Sequence, residues 1–176
     1  DVFIPCSSGG ANSVSMQAFR QKLGQVVFAD KGLASMGIGL SCAIGAALAH
    51  PGRRTVMVEG DGGFAQNLQE LGTVAANGLN LKIVLCDNDG YASIRTTQRN
   101  YFGGAYLGCD IHTGLGFPNW ERLFAAYDIP VVRLSDGWET DPAVRELLDR
   151  DGPAAFILPV DPEQTYLPKI TSRVTE

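Results

Sequence analysis

The stretch TVMVEGDGGFAQNLQELGTVAANGLNLKIVLCDNDGYASI, residues 55–94, decides the fold. Thr55-Val56-Met57-Val58 is an apolar β run of the kind that fills a central strand covered on both faces. Gly60-Asp61-Gly62-Gly63 reads as a tight turn. Phe64, Leu68, Leu71 and Ala75 then recur at helical spacing and predict one amphipathic helix, stopped by Asn77-Gly78. Residues 81–85 predict the next strand, and Asp87-Asn88-Asp89-Gly90 the turn after it. Strand, helix and strand in this order form a βαβ unit with parallel strands. Both turns then lie on one edge of the sheet, the edge at which open α/β sheets bind ligands.

Outward from this unit the alternation continues. Upstream, a short apolar strand over residues 2–6 leads into Ser7-Ser8-Gly9-Gly10, whose backbone N–H groups could approach an anion. A helix capped by Asn12 or Ser13 is expected next, with Met16, Phe19 and Leu23 as its apolar face, and residues 25–28 form a second short strand. The glycine-rich connection over residues 30–40 runs into a helix of small side chains, Ser41 to Ala49, which suits close packing. Its Gly37-x-Gly39 pair is not a dinucleotide fingerprint, because the third glycine is Gly45, too late for G-x-G-x-x-G. Downstream, residues 95–118 carry five glycines and little periodicity, which predicts a long, functional loop or a segment that packs on a partner. Trp120, Leu123, Phe124 and Tyr127 mark a helix, residues 129–134 a strand, and Asp141-Pro142 an N-cap followed by proline at the first helical position. Residues 154–160 form the last strand. The expected fold is a single α/β domain over residues 1–160, doubly wound, with a mainly parallel sheet and helices on both faces. Residues 161–176 form an unassigned tail.

Composition excludes several function classes. The 176 residues carry a net charge of −5 with both signs interspersed, so no basic face for nucleic acid or anionic membrane is expected. No apolar run reaches the length of a membrane span. Cys6, Cys42, Cys86 and Cys109 have no CxxC spacing, and His50 and His112 match no metal pattern. Reduced, mostly buried thiols of a cytoplasmic protein are the expectation. The start, Asp-Val-Phe-Ile-Pro, has neither a basic nor an apolar signal region and reads as a strand entered in mid-protein.

The charge pattern of the central stretch points to a ligand. Its acids are Glu59, Asp61, Glu70, Asp87 and Asp89; its one base is Lys82. Glycine turns that lead into helices favour anions. A carboxylate beside a phosphate, however, is repelled by about 4 kcal/mol for unit charges 4 Å apart at an effective dielectric near 20. A divalent cation between them reverses the sign. Asp61, the Asn88 amide oxygen and backbone carbonyls are hard oxygen ligands suited to Mg²⁺. Either turn alone is a common structural turn in which Asp bonds its own backbone. The pair, flanking one helix, favours a shared metal and diphosphate.

Gly60-Asp61-Gly62, followed at a set interval by Asp87-Asn88, resembles the thiamine diphosphate signature of GDG and a later Asn-Asn. GDGGFAQNLQEL and GLASMGIGLSCAIGAALAHP resemble the corresponding segments of acetolactate synthases. The similarity covers residues 2–160 and identifies the chain as a member of the acetolactate synthase and pyruvate decarboxylase-like superfamily, as its diphosphate-binding domain. The resemblance implies Mg²⁺ ligation by the Asp61 and Asn88 side chains and the Gly90 carbonyl. Backbone groups of Gly60, Gly62 and Gly63 would meet the diphosphate, with Tyr91 flanking it. In the loop Ala34-Ser35-Met36, the Ala34 carbonyl and Met36 N–H would meet the aminopyrimidine, and Met36 would be the wedge that holds thiamine bent. Asp87 departs from the pattern, standing where Asn is usual.

The implied activity is decarboxylation of a small 2-oxo acid and transfer of the aldehyde unit. The alternatives are a decarboxylase or lyase of the same superfamily, or a non-catalytic domain that keeps the cofactor fold. The activating glutamate of such enzymes sits on a separate pyrimidine-binding domain, in the same or another chain, which no segment here resembles. No catalytic residue is therefore expected in this chain. A homo-oligomer, dimer or tetramer, is implied, and the chain alone is expected to bind Mg²⁺ and cofactor weakly or not at all. Arg95, Thr96 and Gln98 are candidates for substrate contact or simply solvent-facing helix residues.

Overall fold

The computed structural model describes residues 1–5, 8–30 and 32–165. Cys6, expected as a buried strand thiol, Ser7 of the first Ser/Gly turn and the tail from residue 166 lie outside the described residues. Six parallel strands form one sheet in the order β2-β1-β3-β4-β6-β5. They are β1 (Val2–Pro5), β2 (Val26–Val27), β3 (Thr55–Gly60), β4 (Leu81–Asp87), β5 (Val131–Arg133) and β6 (Ala154–Pro159). The helices are α1 (Gly9–Ala18), α2 (Ile38–Ala49), α3 (Asp61–Phe64), α4 (Leu71–Ala76), α5 (Ala92–Tyr101), α6 (Trp120–Ala126) and α7 (Pro142–Asp149).

Strand side chains alternate between faces, and each face has its own core. Met57, Ile83, Leu85 and Ile157 pack with Leu40 and Ala43 of α2, Val74 of α4 and Phe124 of α6. On the opposite face Phe156 and Ala154 pack with Leu134 and Val144, flanked by the half-buried Val84 and Leu147. This is the doubly wound arrangement the sequence pattern predicts. The small residues of α2 do what their size suggests: Gly39, Ala43 and Ala47 are buried against the sheet. Asp141 caps α7 by accepting from the Ala143 N–H at 2.8 Å, with Pro142 at the first helical position.

Four local expectations are corrected. The helix expected from Phe64 to Ala75 is broken into α3, a 3₁₀ turn (Leu68–Glu70) and α4. Asn67 breaks it at φ −145°, where its amide donates to the Gly37 carbonyl (3.3 Å) and the Ser41 hydroxyl (2.7 Å). The first helix starts at Gly9, before the expected caps, and ends at Ala18. It buries no residue. Met16 is 37% and Leu23 fully exposed, whereas Phe19 stacks on Phe3 with ring centroids 4.1 Å apart. The stretch expected as a loop from residue 95 begins instead with α5, which also buries nothing. Helix α5 is strongly polar, so few large apolar side chains mark it in the sequence.

Lys82 of β4 is completely buried on the second face. Its ammonium donates to the Arg150 and Gly152 carbonyls at 2.8 and 2.6 Å. Burial, and then the charges of Arg150 and Arg54, lower its pKa to about 8 from 10.5. Between those two pH values the unfolded chain holds a proton that the folded chain has shed, so Lys82 adds stability as pH rises through the window. The wild type should gain about 2 kcal/mol on Lys82→Met from pH 7 to pH 10 in urea titrations, the two carbonyl bonds trimming the full linkage value. A pH-independent difference would contradict it.

Candidate functional site

The connections from β1 and β3 leave in opposite directions. β1 runs through α1 to β2 on one side, and β3 runs through α3 and α4 to β4 on the other. The strand ends part there and leave a crevice, the usual ligand position in an open α/β sheet. A cleft of ≈ 580 Å³ occupies it. Its walls are Ser8 and Gly10 from the β1 end, residues 59–63 from the β3 end, Asn88, Gly90 and Tyr91 from the β4 end, and residues 158–161 after β6.

Asp61 is the hub. It is 2% exposed. One carboxylate oxygen, Oδ1, accepts from the Gly62 N–H at 2.6 Å. The other, Oδ2, accepts from the N–H groups of Asn88 at 3.0 Å and Gly90 at 3.2 Å. The first turn thereby grips the second, across a gap of 27 residues in sequence. Burial pushes the Asp61 carboxyl up to about 6. The three N–H bonds oppose that rise, and the Asp87 charge adds to it. Burial likewise pushes the neighbouring Cys86 thiol up to about 11, assisted by the Asp61 and Glu59 charges. A cation beside Asp61 would favour its ionised form and oppose the rise in its pKa.

The residues present fit a metal and a diphosphate. Asn88 Oδ1 is buried and has no hydrogen-bond partner among the described residues, a costly state for an amide oxygen and one that a cation would relieve. Asp61 and this oxygen come from the two turns that the Asp61 bonds hold together. Among the described residues no group of three His, Cys, Asp or Glu side chains converges, so a metal here would depend on amide and carbonyl oxygens beside one carboxylate. Gly62 lies under the Tyr91 ring, and any Cβ at position 62 would overlap it. The Tyr91 hydroxyl accepts from the Gln66 amide at 2.8 Å, which fixes the ring over the turn.

Ala34, Ser35 and Met36 stand apart from the cleft walls. All three are exposed in the loop before α2, with Ala34 at φ +52°. Met36 nevertheless reaches the first turn: its Cε would lie 3.7 Å from a Cβ at Gly62.

Glu59 is a site residue that motif reading passed over. It is 1% exposed, and its carboxylate occupies the space that a Cβ on Gly39 or Gly63 would need. Its position immediately before Gly60 was the available signal. Asp87, whose role the sequence left open, turns away from the cleft. Its carboxylate accepts from Trp120 Nε1 at 3.2 Å and pairs with Arg133 at 3.0 Å. Arg95 pairs with Asp110 and Glu163 and stacks over the Tyr106 ring, so it braces α5.

Residues 8–158 match the thiamine pyrophosphate enzyme, C-terminal TPP binding domain. The chain belongs to this family. Relatives of the TPP-binding domain include the acetolactate synthase isozyme 1 large subunit of Escherichia coli (strain K12), 30% identical over 139 residues, 79% of this chain and 24% of that protein. The acetolactate synthase large subunit of Parasynechococcus marenigrum (strain WH8102) is 35% identical over 128 residues, 73% of this chain and 19% of that protein. Acetolactate synthase 2, chloroplastic, of Brassica napus is 32% identical over 162 residues, 89% of this chain and 25% of that protein. The domain thus spans about a quarter or less of the length of these relatives. No helix among its described residues is long and apolar enough to cross a membrane.

Proposed function

We propose that residues 1–160 hold Mg²⁺ and the diphosphate of thiamine diphosphate in an acetolactate synthase-like enzyme. The enzyme decarboxylates a small 2-oxo acid and transfers the aldehyde unit. The observation that carries the reading is the pairing of buried Asp61 with the partnerless Asn88 Oδ1 at the crevice between strand ends. Asp61 and Asn88 would ligate the metal by side chain and Gly90 by its carbonyl. Gly60, Gly62 and Gly63 would lie against the diphosphate, and the Tyr91 ring over Gly62 would wall it on one side. The loop Ala34-Ser35-Met36 would meet the pyrimidine ring, with Met36 as its apolar support.

Thiamine diphosphate, when bound, would supply a carbon nucleophile for 2-oxo acid chemistry. This chain's residues bind, orient and shield. Asp61 and Asn88 would hold the cation whose charge offsets that of the diphosphate, and the buried floor of β3 and β4 excludes water below it. The proton chemistry is assigned to a glutamate on a pyrimidine-binding domain, in keeping with the length of the relatives. The working enzyme is on this reading a homo-oligomer, dimer or tetramer. A cytoplasmic setting is part of the proposal and is supported by the free thiols Cys42, Cys86 and Cys109.

Calorimetric titration of the complete protein with thiamine diphosphate tests the binding, and CO₂ release from pyruvate and larger 2-oxo acids tests the reaction. Binding that requires Mg²⁺, with CO₂ release, is expected. Metal-independent or absent binding would overturn the reading.

A further inference from the structure

Asn88 is one residue from Asp87, and the two side chains face opposite ways. Asn88 faces the crevice, whereas Asp87 lines a second cleft of ≈ 550 Å³ on the far side of the turn. The Asp87 side chain is 10% exposed. It has two donors: Trp120 Nε1 at 3.2 Å and Arg133 Nη1 at 3.0 Å, while Arg133 Nε is held by Glu121 at 2.7 Å. Trp120 also reaches the other turn. Its ring meets Phe64 edge-on, with centroids 5.8 Å apart, and Phe64 closes the short helix that Asp61 opens. A continuous contact path therefore runs from Asp61 through Phe64, Trp120 and Asp87 to Asn88.

On the strength of the function proposed above, we propose that Asp87, Trp120 and Arg133 are positioning residues that set the separation of Asp61 and Asn88 and so tune metal affinity. A carboxylate suits this place better than the amide usual in the Asn-Asn pattern. It offers both donors an oxygen, and its charge is balanced by the guanidinium. An amide at position 87 has one acceptor oxygen. Its NH₂ group would face either the Arg133 guanidinium or the indole N–H, and the turn carrying Asn88 would rotate to relieve that contact. Removing Arg133 together with the charge leaves the amide oxygen free to accept from Trp120 alone.

The test uses the complete protein with Mn²⁺ as the probe, titrated in the presence of thiamine diphosphate and followed by the electron paramagnetic resonance of the free ion. Asp87→Asn should weaken Mn²⁺ binding by about 10-fold or more, the range for groups that orient metal ligands. Trp120→Phe, which keeps the ring and deletes the N–H, should do the same. The double variant Asp87→Asn/Arg133→Met should recover most of the affinity. A residue needed only for packing would not give that rescue, and its loss of affinity would follow the urea midpoint measured in parallel. Wild-type affinity in Asp87→Asn, or a double variant no tighter than the single one, would overturn the inference while leaving the proposed function standing. A wild type that binds no Mn²⁺ would remove that function and the inference with it.

Discussion

Asp61→Ala should abolish metal-dependent cofactor binding while leaving the fold nearly as stable as before. The two effects separate because Asp61 serves the apo fold poorly. Its carboxylate ties down three N–H groups, of Gly62, Asn88 and Gly90, each worth about 1 kcal/mol net. Alanine leaves those N–H groups without the carboxylate, but it also removes a charge the fold disfavours: even with the three bonds included the pKa rises from 3.8 to about 6, on the order of 3 kcal/mol at neutral pH. These contributions nearly cancel, so the urea-derived stability of Asp61→Ala should fall within about 1–2 kcal/mol of wild type. Affinity for thiamine diphosphate with Mg²⁺ should drop by about 100-fold or more, since even groups that only orient a ligand cost 10–100-fold. Without Mg²⁺ the order should invert. Wild-type Asp61 then repels the diphosphate, and the alanine variant binds it more tightly. Calorimetry of both proteins with and without the metal checks all three results. Equal affinity in Mg²⁺ would remove Asp61 from the site, and a metal-free preference for the wild type would show that repulsion is not what the cation relieves.

What could be read in the sequence was whatever is local. The break after β3 and the turn from Asp87 to Gly90 are marked by glycine and Asx residues within a few positions, although the expected tight turn at Gly60 to Gly63 is instead the one-turn helix α3 from Asp61 to Phe64; the strands are marked by runs of apolar side chains. Their parallel pairing placed Asp61 beside Asn88 without further information. Features that depend on distant partners were hidden. Asn67 breaks the helix after the first turn because Gly37 and Ser41, 30 and 26 residues away, accept from its amide. The spacing of Phe64, Leu68 and Leu71 is the same whether or not that break occurs. Asp87 looked like a flaw in a motif until Trp120 and Arg133, 33 and 46 residues downstream, appeared as its donors. The helix α5 escaped detection for another reason. It is polar and buries no residue, so no run of large apolar side chains marks it for a pattern to find. Ala34, Ser35 and Met36 were assigned by resemblance alone, and the structure brings the Met36 side chain close to the first turn.

Gly90→Ala should be among the most destabilising single-methyl changes in the chain. A Cβ at this position would collide with the Cys109 carbonyl oxygen and lie 3.3 Å from its carbon and 3.4 Å from Asp110 Cα. These are backbone atoms that cannot swing aside. The Cys109 carbonyl accepts from the Tyr91 N–H at 2.8 Å. The Cys109 and Asp110 N–H groups each donate to the Thr113 hydroxyl at 3.0 Å, and the Asp110 carboxylate accepts from the Thr113 N–H at 3.0 Å. To admit the methyl, the segment must retreat, which breaks the Tyr91 bond and strains the Gly90 N–H bond to Asp61, already 3.2 Å long. Overpacking of this kind costs about 1–3 kcal/mol, and a lost buried hydrogen bond about 1 more, so a loss near 3 kcal/mol is expected. Gly78→Ala supplies the control. Gly78 sits at φ +53° with nothing near its Cβ position, so only the left-handed backbone penalty of about 1 kcal/mol applies. Urea denaturation without Mg²⁺ or cofactor isolates this packing effect from ligation by the Gly90 carbonyl. If the two variants differ by less than about 1 kcal/mol, the contact between the second turn and the Cys109 segment is not what fixes that turn. If they differ as expected, the glycine that ends the second turn is required by packing whatever the turn binds, and its carbonyl is held by a backbone that has almost no room to move.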